Sequence, residues 1–126
     1  MTADKQRAGC GDLFAAVARA RPRVHCFGHI HEGWGAKKVV WRGAEASEKP
    51  SHFTDVDNER SAVVESLATL RKGRWESEEV GEEKKRRLEG YRKRGYVTAR
   101  VDSDSVQQTL FVNAAIQGLE EGFQLP

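Results

Sequence analysis

Val24-His25-Cys26-Phe27-Gly28-His29-Ile30-His31-Glu32-Gly33-Trp34-Gly35 decides how this chain folds. Residues 24–27 form a short apolar-rich run, which reads as a strand, and the glycines at 28, 33 and 35 mark the residues after it as a turn. Upstream, Asp12 offers an N-cap for a helix to about Ala20, with Leu13, Phe14 and Val17 on one face and Pro22 to stop it. Downstream, Lys37-Lys38-Val39-Val40-Trp41 reads as the return strand. Helix, strand, loop and strand together are a unit of a layered α/β or α+β domain. They put His29 and His31 at the C-terminal end of a strand, where loops held by a rigid scaffold carry function.

Alternate residues of an extended segment point in different directions. His29 and His31 therefore suit two neighbouring metals, or two corners of one, better than they suit packing together. The alternative is a glycine-rich turn whose histidines cap backbone groups or face solvent. An imidazole must be neutral to coordinate, so metal affinity falls as pH drops below the ordinary imidazole range of roughly 6.5.

Further along, residues 42–58 contain turn formers without periodicity and read as a linker. Asn58 then offers an N-cap, and Val63, Val64, Leu67 and Leu70 recur at helical spacing, so a helix is expected over 59–71 with Gly73 as terminator. A second helix is expected over 76–94. Its glutamates come first and its lysines and arginines last, an order that complements the helix macrodipole. Its apolar residues, chiefly Val80, Leu88 and Tyr91, are too few to bury it, so it belongs on the surface or projects from it. Residues 96–101 suit a strand, 102–105 a turn, and 109–115 a strong strand.

The chain has 126 residues, enough for one small domain. Its hydrophobic share of 38% is low and its charged share of 32% high for a globular domain, so part of it should be loosely held. A net charge of +2 from 21 basic and 19 acidic residues provides no global field for nucleic acid. In the basic run from Lys84 to Arg94, glutamate interleaves and Tyr91 is the sole aromatic, which points to a solvated helix face and no specific nucleic-acid partner. Cys10 and Cys26 lie in no zinc or disulfide spacing, which favours a reducing, cytoplasmic or otherwise intracellular setting. No apolar run approaches the roughly 18 residues of a membrane span, and no signal-peptide core opens the chain, so no membrane partner is expected.

The block from Arg21 to Gly35 resembles the last motif, Gly-His-x-His, of the calcineurin-like metallophosphoesterase superfamily, in proteins where it reads roughly "RPxxHxFGHIHEGxG". Thr109-Leu110-Phe111-Val112-Asn113-Ala114-Ala115 is similar to the strand that follows, of the form "xxNAS" or "xxNAA". The resemblance covers residues 9–41 and 109–115. It implies an α/β fold, the C-terminal part of a layered sandwich of short strands flanked by helices. On this reading residues 1–126 are a partial phosphoesterase domain, with a linker and charged helical insertion over 42–105. It also implies hydrolysis of a phosphoester, by the nearest relatives a phosphodiester, with a dinuclear divalent-metal cofactor of Mn, Fe or Zn. His29 takes the role of a ligand to the second metal and His31 to the first, while Gly28, Glu32 and Asn113 shape or support the turn.

The family's other motifs are missing from this chain: Asp-x-His, Gly-Asp-x-x-Asp, Gly-Asn-His-Glu and a further histidine. Gly11-Asp12 has Ala15 where the second aspartate belongs, and no Gly-Asn pair occurs. The expectation is a chain inactive alone, whose missing strands leave apolar edges open to self-association. The rival reading is a non-catalytic interaction protein that retains a relic metal loop. His25, in an apolar strand, reads as packed or as a hydrogen-bond partner of a ligand, and His52 as solvated. Cys26 with His29 and His31 would make a mononuclear zinc set only if it faced the turn. Trp34 either walls the site or covers it.

Overall fold

In the computed structural model, residues 9–100 and 107–115 are described. Helix α1 (Gly11–Ala20) leads into strand β1 (Val24–Phe27), a one-turn 3-10 helix at His31–Gly33, and strand β2 (Gly35–Trp41). Strand β3 (Val56–Ser66), the single turn α2 (Leu67–Leu70), helix α3 (Glu78–Arg94) and strand β4 (Gln108–Asn113) complete it. The strands form one mixed sheet in the order β1-β4-β2-β3. Strands β1 and β4 are parallel, while β2 runs antiparallel to both β4 and β3. The architecture is mixed α/β, as the sequence predicts.

Alternation along β2 sends Val39 and Trp41 to one face and Val40 to the other. On the first face Val39, Trp41 and Val56 pack with Val17 and Ala18 of α1, joined by Phe14, Ala46 and Phe111. Buried Trp41 donates its indole N–H to Thr109 Oγ1 at 2.9 Å, and that hydroxyl donates to the Pro22 carbonyl at 2.6 Å. The core's polar atoms are thereby satisfied, as burial requires. The first-turn position of Asp12 leaves it off the N-cap, which is Cys10 and makes no side-chain cap. At the other end Arg21 adopts a left-handed φ of 45°. Its guanidinium donates to the Ala18, Arg42, Gly43 and Ala44 carbonyls and to Gln107 Oε1, tying α1 to the loop beyond β2.

The predicted helix over 59–71 is a strand for most of its length. Val63 and Val64 belong to β3, which pairs along the free side of β2, and only Leu67–Leu70 turns helical. Leaving β2 unpaired on that side would expose a row of backbone groups, and β-branched residues suit a pleated surface, so tertiary pairing overrides the helical spacing. Asn58 is no helix cap; its amide donates to the His52 carbonyl at 3.3 Å, within an irregularity of β3. There Ser61 Oγ receives the Val40 N–H at 2.9 Å and donates to the Asp57 carbonyl at 2.6 Å, replacing a ladder bond. The helical turn starts at Ser66, whose side chain forms a reciprocal capping box with Thr69.

Residues 42–55 carry neither helix nor strand, but β3 already begins at Val56, inside the linker expected over 42–58, and the loop before it is anchored. Buried Asp55 accepts from the Ser47 N–H at 2.7 Å, the Ser47 hydroxyl at 2.8 Å, the Ser51 N–H at 3.0 Å and the Thr54 hydroxyl. Burial by itself would raise its pKa, but these donors outweigh that and hold the carboxyl well below the usual carboxylate range. His52, expected in solvent, is half-buried with its ring 3.7 Å from that of Phe53.

Helix α3 agrees with its charge pattern: Ser77 caps it, Gly95 ends it in a left-handed conformation, and none of its residues is buried. Its grip is polar. Tyr91 donates its hydroxyl to buried Glu65 at 2.7 Å, and Arg87 pairs with the same carboxylate, its Nε 3.2 Å from Oε2 and its Nη2 donating to Oε1 at 3.5 Å. Arg87 also donates to the Thr69 carbonyl at 2.9 Å, and Lys84 to the Arg71 carbonyl at 2.9 Å. Residues 96–100, expected to begin a strand, form none; Val97 and Ala99 instead line a cavity of ≈ 390 Å³ with Ala36, Leu110 and Val112. The predicted turn at 102–105 lies outside the described residues.

Candidate metal-binding turn

Parallel pairing of β1 with β4 fixes the approach to the histidine turn, with Phe27 opposite Asn113. Beyond it the backbone departs from the extended path that the alternation argument assumes. His29 sits at a left-handed φ of 76°, and His31 opens the 3-10 turn. The two imidazoles leave one tight turn rather than one strand. His29 is exposed and His31 half-buried.

A left-handed φ on a non-glycine residue is uncommon, though histidine is among those that tolerate it, and its cost is of order 1 kcal/mol. Such strain persists where the surroundings over-determine it, and it clusters at functional sites. The surroundings here are specific. Gly33 N–H donates to the Ile30 carbonyl and Trp34 N–H to the His31 carbonyl, each at 3.1 Å. Ala114 N–H donates to the Phe27 carbonyl at 2.8 Å. Asn113 Nδ2 donates to the Ile30 carbonyl at 2.7 Å. Gly35 must be glycine: its φ is 143°, and a Cβ there would stand 2.3 Å from the Glu65 carbonyl oxygen.

His31 Nδ1 is shut off from solvent and has no hydrogen-bond partner among the described residues. A buried ring nitrogen left so is costly unless something outside the described residues meets it. That suits a ligand. The donor set is short, however. Among the described residues no three histidine, cysteine, aspartate or glutamate side chains come together as a metal-holding group. Two neutral imidazoles without a bridging carboxylate do not make a dinuclear centre, and the described residues do not supply one by themselves.

The other predicted side chains divide clearly. Cys26 does not join His29 and His31 in a three-donor set; it is an exposed free thiol on the strand, one residue out of phase with His25. His25 is packed as expected, with its ring 5.5 Å from Phe27 and 5.2 Å from Phe111. Glu32 is half-buried within the 3-10 turn, and Gly28 is exposed beside His29. Trp34 is half-buried, and its carbonyl accepts from Leu67 N–H at 3.3 Å, linking the turn to α2. Asn113 does more than bond its neighbours, since it reaches 83 positions back to the turn. Sequence reasoning reads Tyr91 as an apolar helix residue and Arg87 as part of a solvated basic run, and misses their shared contact with Glu65. A glutamate among valines in an apolar stretch is the signal that could have found them.

No protein-family model matches the chain, and no solved structure matches it. Short stretches of curated proteins do. Metallophosphoesterase domain-containing protein 1 of Homo sapiens and its counterpart in Mus musculus are each 58% identical over 31 residues, 24% of this chain and 10% of theirs. A UPF0046 protein of Caenorhabditis elegans is likewise 58% identical over 31 residues, 8% of its length. The matched stretch thus spans a tenth or less of these relatives. Over those 31 residues the chain is similar to metallophosphoesterase domain-containing proteins and to a UPF0046 protein, in keeping with the resemblance to the calcineurin-like metallophosphoesterase superfamily that its Gly28-His29-Ile30-His31 turn suggests.

Proposed function

We propose that this chain is the C-terminal part of a calcineurin-like metallophosphoesterase domain, with His29 and His31 contributing two of the ligands of a dinuclear divalent-metal site. The parent fold would hydrolyse a phosphoester, by its resemblance a phosphodiester, and the layered sandwich would be completed by strands from outside this chain. One observation carries the reading: the strained, glycine-framed turn that presents both imidazoles at a strand end, with His31 Nδ1 buried and unpartnered among the described residues. In the assembled site the metals would supply Lewis acidity toward phosphate. This chain's own task is to hold two neutral imidazoles in place.

Alone, the chain is expected to be inactive, because the carboxylates that balance the metals' charge are not gathered among its described residues. On this reading the charged helix within residues 42–105 is a family-specific insertion, and β1, an edge strand with Val24 and Phe27 exposed, is where the chain would pair with missing strands or with a second copy. The test is calorimetric titration of manganese or zinc into wild type and into His29→Ala and His31→Ala, alongside hydrolysis of an aryl phosphodiester. Weak binding lost in both variants, without turnover, is expected. Robust metal-dependent hydrolysis by the pure 126-residue protein would overturn the proposed inactivity.

The lack of a three-donor group among the described residues favours a second reading, a non-catalytic interaction protein that retains the turn as a relic. Wild type that binds neither metal would select it. Among the described residues no helix is long and apolar enough to cross a membrane, which suits either reading.

A further inference from the structure

Asn113 is 4% exposed at the end of β4, and both ends of its carboxamide are committed. Oδ1 accepts from Ala115 N–H at 3.1 Å, and Nδ2 donates to the Ile30 carbonyl at 2.7 Å. The amide orientation follows from its partners, since an N–H needs the oxygen and a carbonyl needs the NH2 group. Ile30 lies between the two histidines, and its carbonyl also receives Gly33 N–H at 3.1 Å. The peptide joining Ile30 to His31 is therefore held by two donors. Just upstream, Ala114 N–H holds the Phe27 carbonyl. Asn113 at the end of β4 and Ala114 just beyond it thus tie the turn on both sides of His29.

Gly33 completes the arrangement from the opposite side. A Cβ there would lie 3.1 Å from Asn113 Nδ2, so only glycine leaves the carboxamide its full room.

We propose that Asn113 is a positioning residue: its carboxamide, admitted by Gly33, locks the peptide between His29 and His31 and so sets the geometry of the imidazole pair. This rests on the proposed role of that pair, but the lock itself is a property of the metal-free protein. Its test is hydrogen-exchange protection of Gly33 and Trp34 amides in metal-free wild type, Asn113→Asp and Gly33→Ala, with ring 15N shifts of His29 and His31. Asn113→Asp keeps the shape and the acceptor for Ala115, but at pH 8 it sets a carboxylate oxygen against the Ile30 carbonyl. Protection at Gly33 and Trp34 should fall about tenfold or more, while Lys37 and Val39 amides in the ladder stay protected.

When pH falls far enough to protonate the new carboxyl, it can donate to Ile30 again, and protection relative to wild type at the same pH should recover. A merely structural role predicts that the His29 and His31 ring shifts stay as in wild type throughout. Gly33→Ala, which needs no new charge, should loosen the turn and shift both rings even if Asn113→Asp fails to fold. Unchanged protection and ring shifts in Gly33→Ala, or a folded Asn113→Asp that behaves as wild type at pH 8, would overturn the proposal. A wild type that binds no zinc while both variants still loosen the turn would sink the metal reading and leave the lock standing.

Discussion

The two faces of the sheet are held by different forces. On one, α1 lies on a dry cluster of Val17, Ala18, Val39, Trp41 and Val56, where the main polar contact is a single indole-to-threonine hydrogen bond. On the other, α3 buries none of its own residues and is held by Arg87 and Tyr91 gripping the carboxylate of Glu65, with Lys84 reaching Glu76 at 2.6 Å nearby. Apolar burial is non-directional and holds no charge to titrate or screen, whereas ion pairs and hydrogen bonds to charged groups weaken with pH change and with screening. The α1 face, which positions the histidine turn, should unfold only with the whole domain. The α3 face should open first.

The largest effect should come from the dry face. Trp41→Ala removes an aromatic that is 2% exposed and leaves Thr109 without its indole partner. A loss of about 3–5 kcal/mol is expected in denaturant unfolding, enough to leave such a small domain marginal. A loss under about 1 kcal/mol would mean that α1 is not seated as described.

Asp55 should come next, because its cage holds the loop that brings Ala46 onto the α1 face. Asp55→Ala strands several donors, those of Ser47 and Ser51 half-buried, and should cost about 2 kcal/mol. With a folded pKa below the unfolded value of about 3.9, this carboxylate stabilises at pH above that value, and the contribution drains away as pH falls further. Acid unfolding should therefore begin below about pH 4 in wild type. Asp55→Asn should flatten that limb of the stability curve.

The polar face should respond more weakly and locally. Arg87→Ala is expected to cost about 1–2 kcal/mol, less than a fully buried pair would, because the arginine side chain is 38% exposed. Exchange of α3 amides should accelerate while β2 and β4 amides do not, and salt should do the same to wild type. Tyr91 adds an alkaline limb. Burial first, and then its bond to Glu65, raise the phenol pKa, so its contribution is full below the unfolded value of about 10 and is lost as pH rises through the folded one. If α3 and β2 amides lose protection together under any of these conditions, the faces are not independent.

The smallest effect tests the turn. His29→Gly removes an imidazole and relieves a left-handed φ, so stability should rise by at most about 1 kcal/mol while metal binding disappears. A substantial loss of stability would mean that the His29 ring packs for structural reasons.

The turn and its flanking elements are legible in the sequence because their signals are local. Pro22 and the glycines punctuate, and Val24 to Phe27 and Val39 to Trp41 are too short and apolar for anything but strands. The helix of 78–94 is legible too, from the order of its charges. Residues 59–71 are not, since Val63, Val64, Leu67 and Leu70 fit a helical stripe as well as a strand and the decision rests with a partner 26 residues away: Val63 pairs with Lys37.

The residue types at the candidate site, their glycine frame and their likeness to a metallophosphoesterase motif belong to the sequence alone, because each is a statement about neighbours in the chain. Which atoms hold the turn is a tertiary matter. Asn113 and Gly33 meet only once β4 has paired between β1 and β2, and Glu65 becomes a buried anchor only once β3 has chosen the sheet over the helix. Contacts that close over 80 residues carry no local signature, because the free energy that selects them is set by burial and pairing in the assembled sheet.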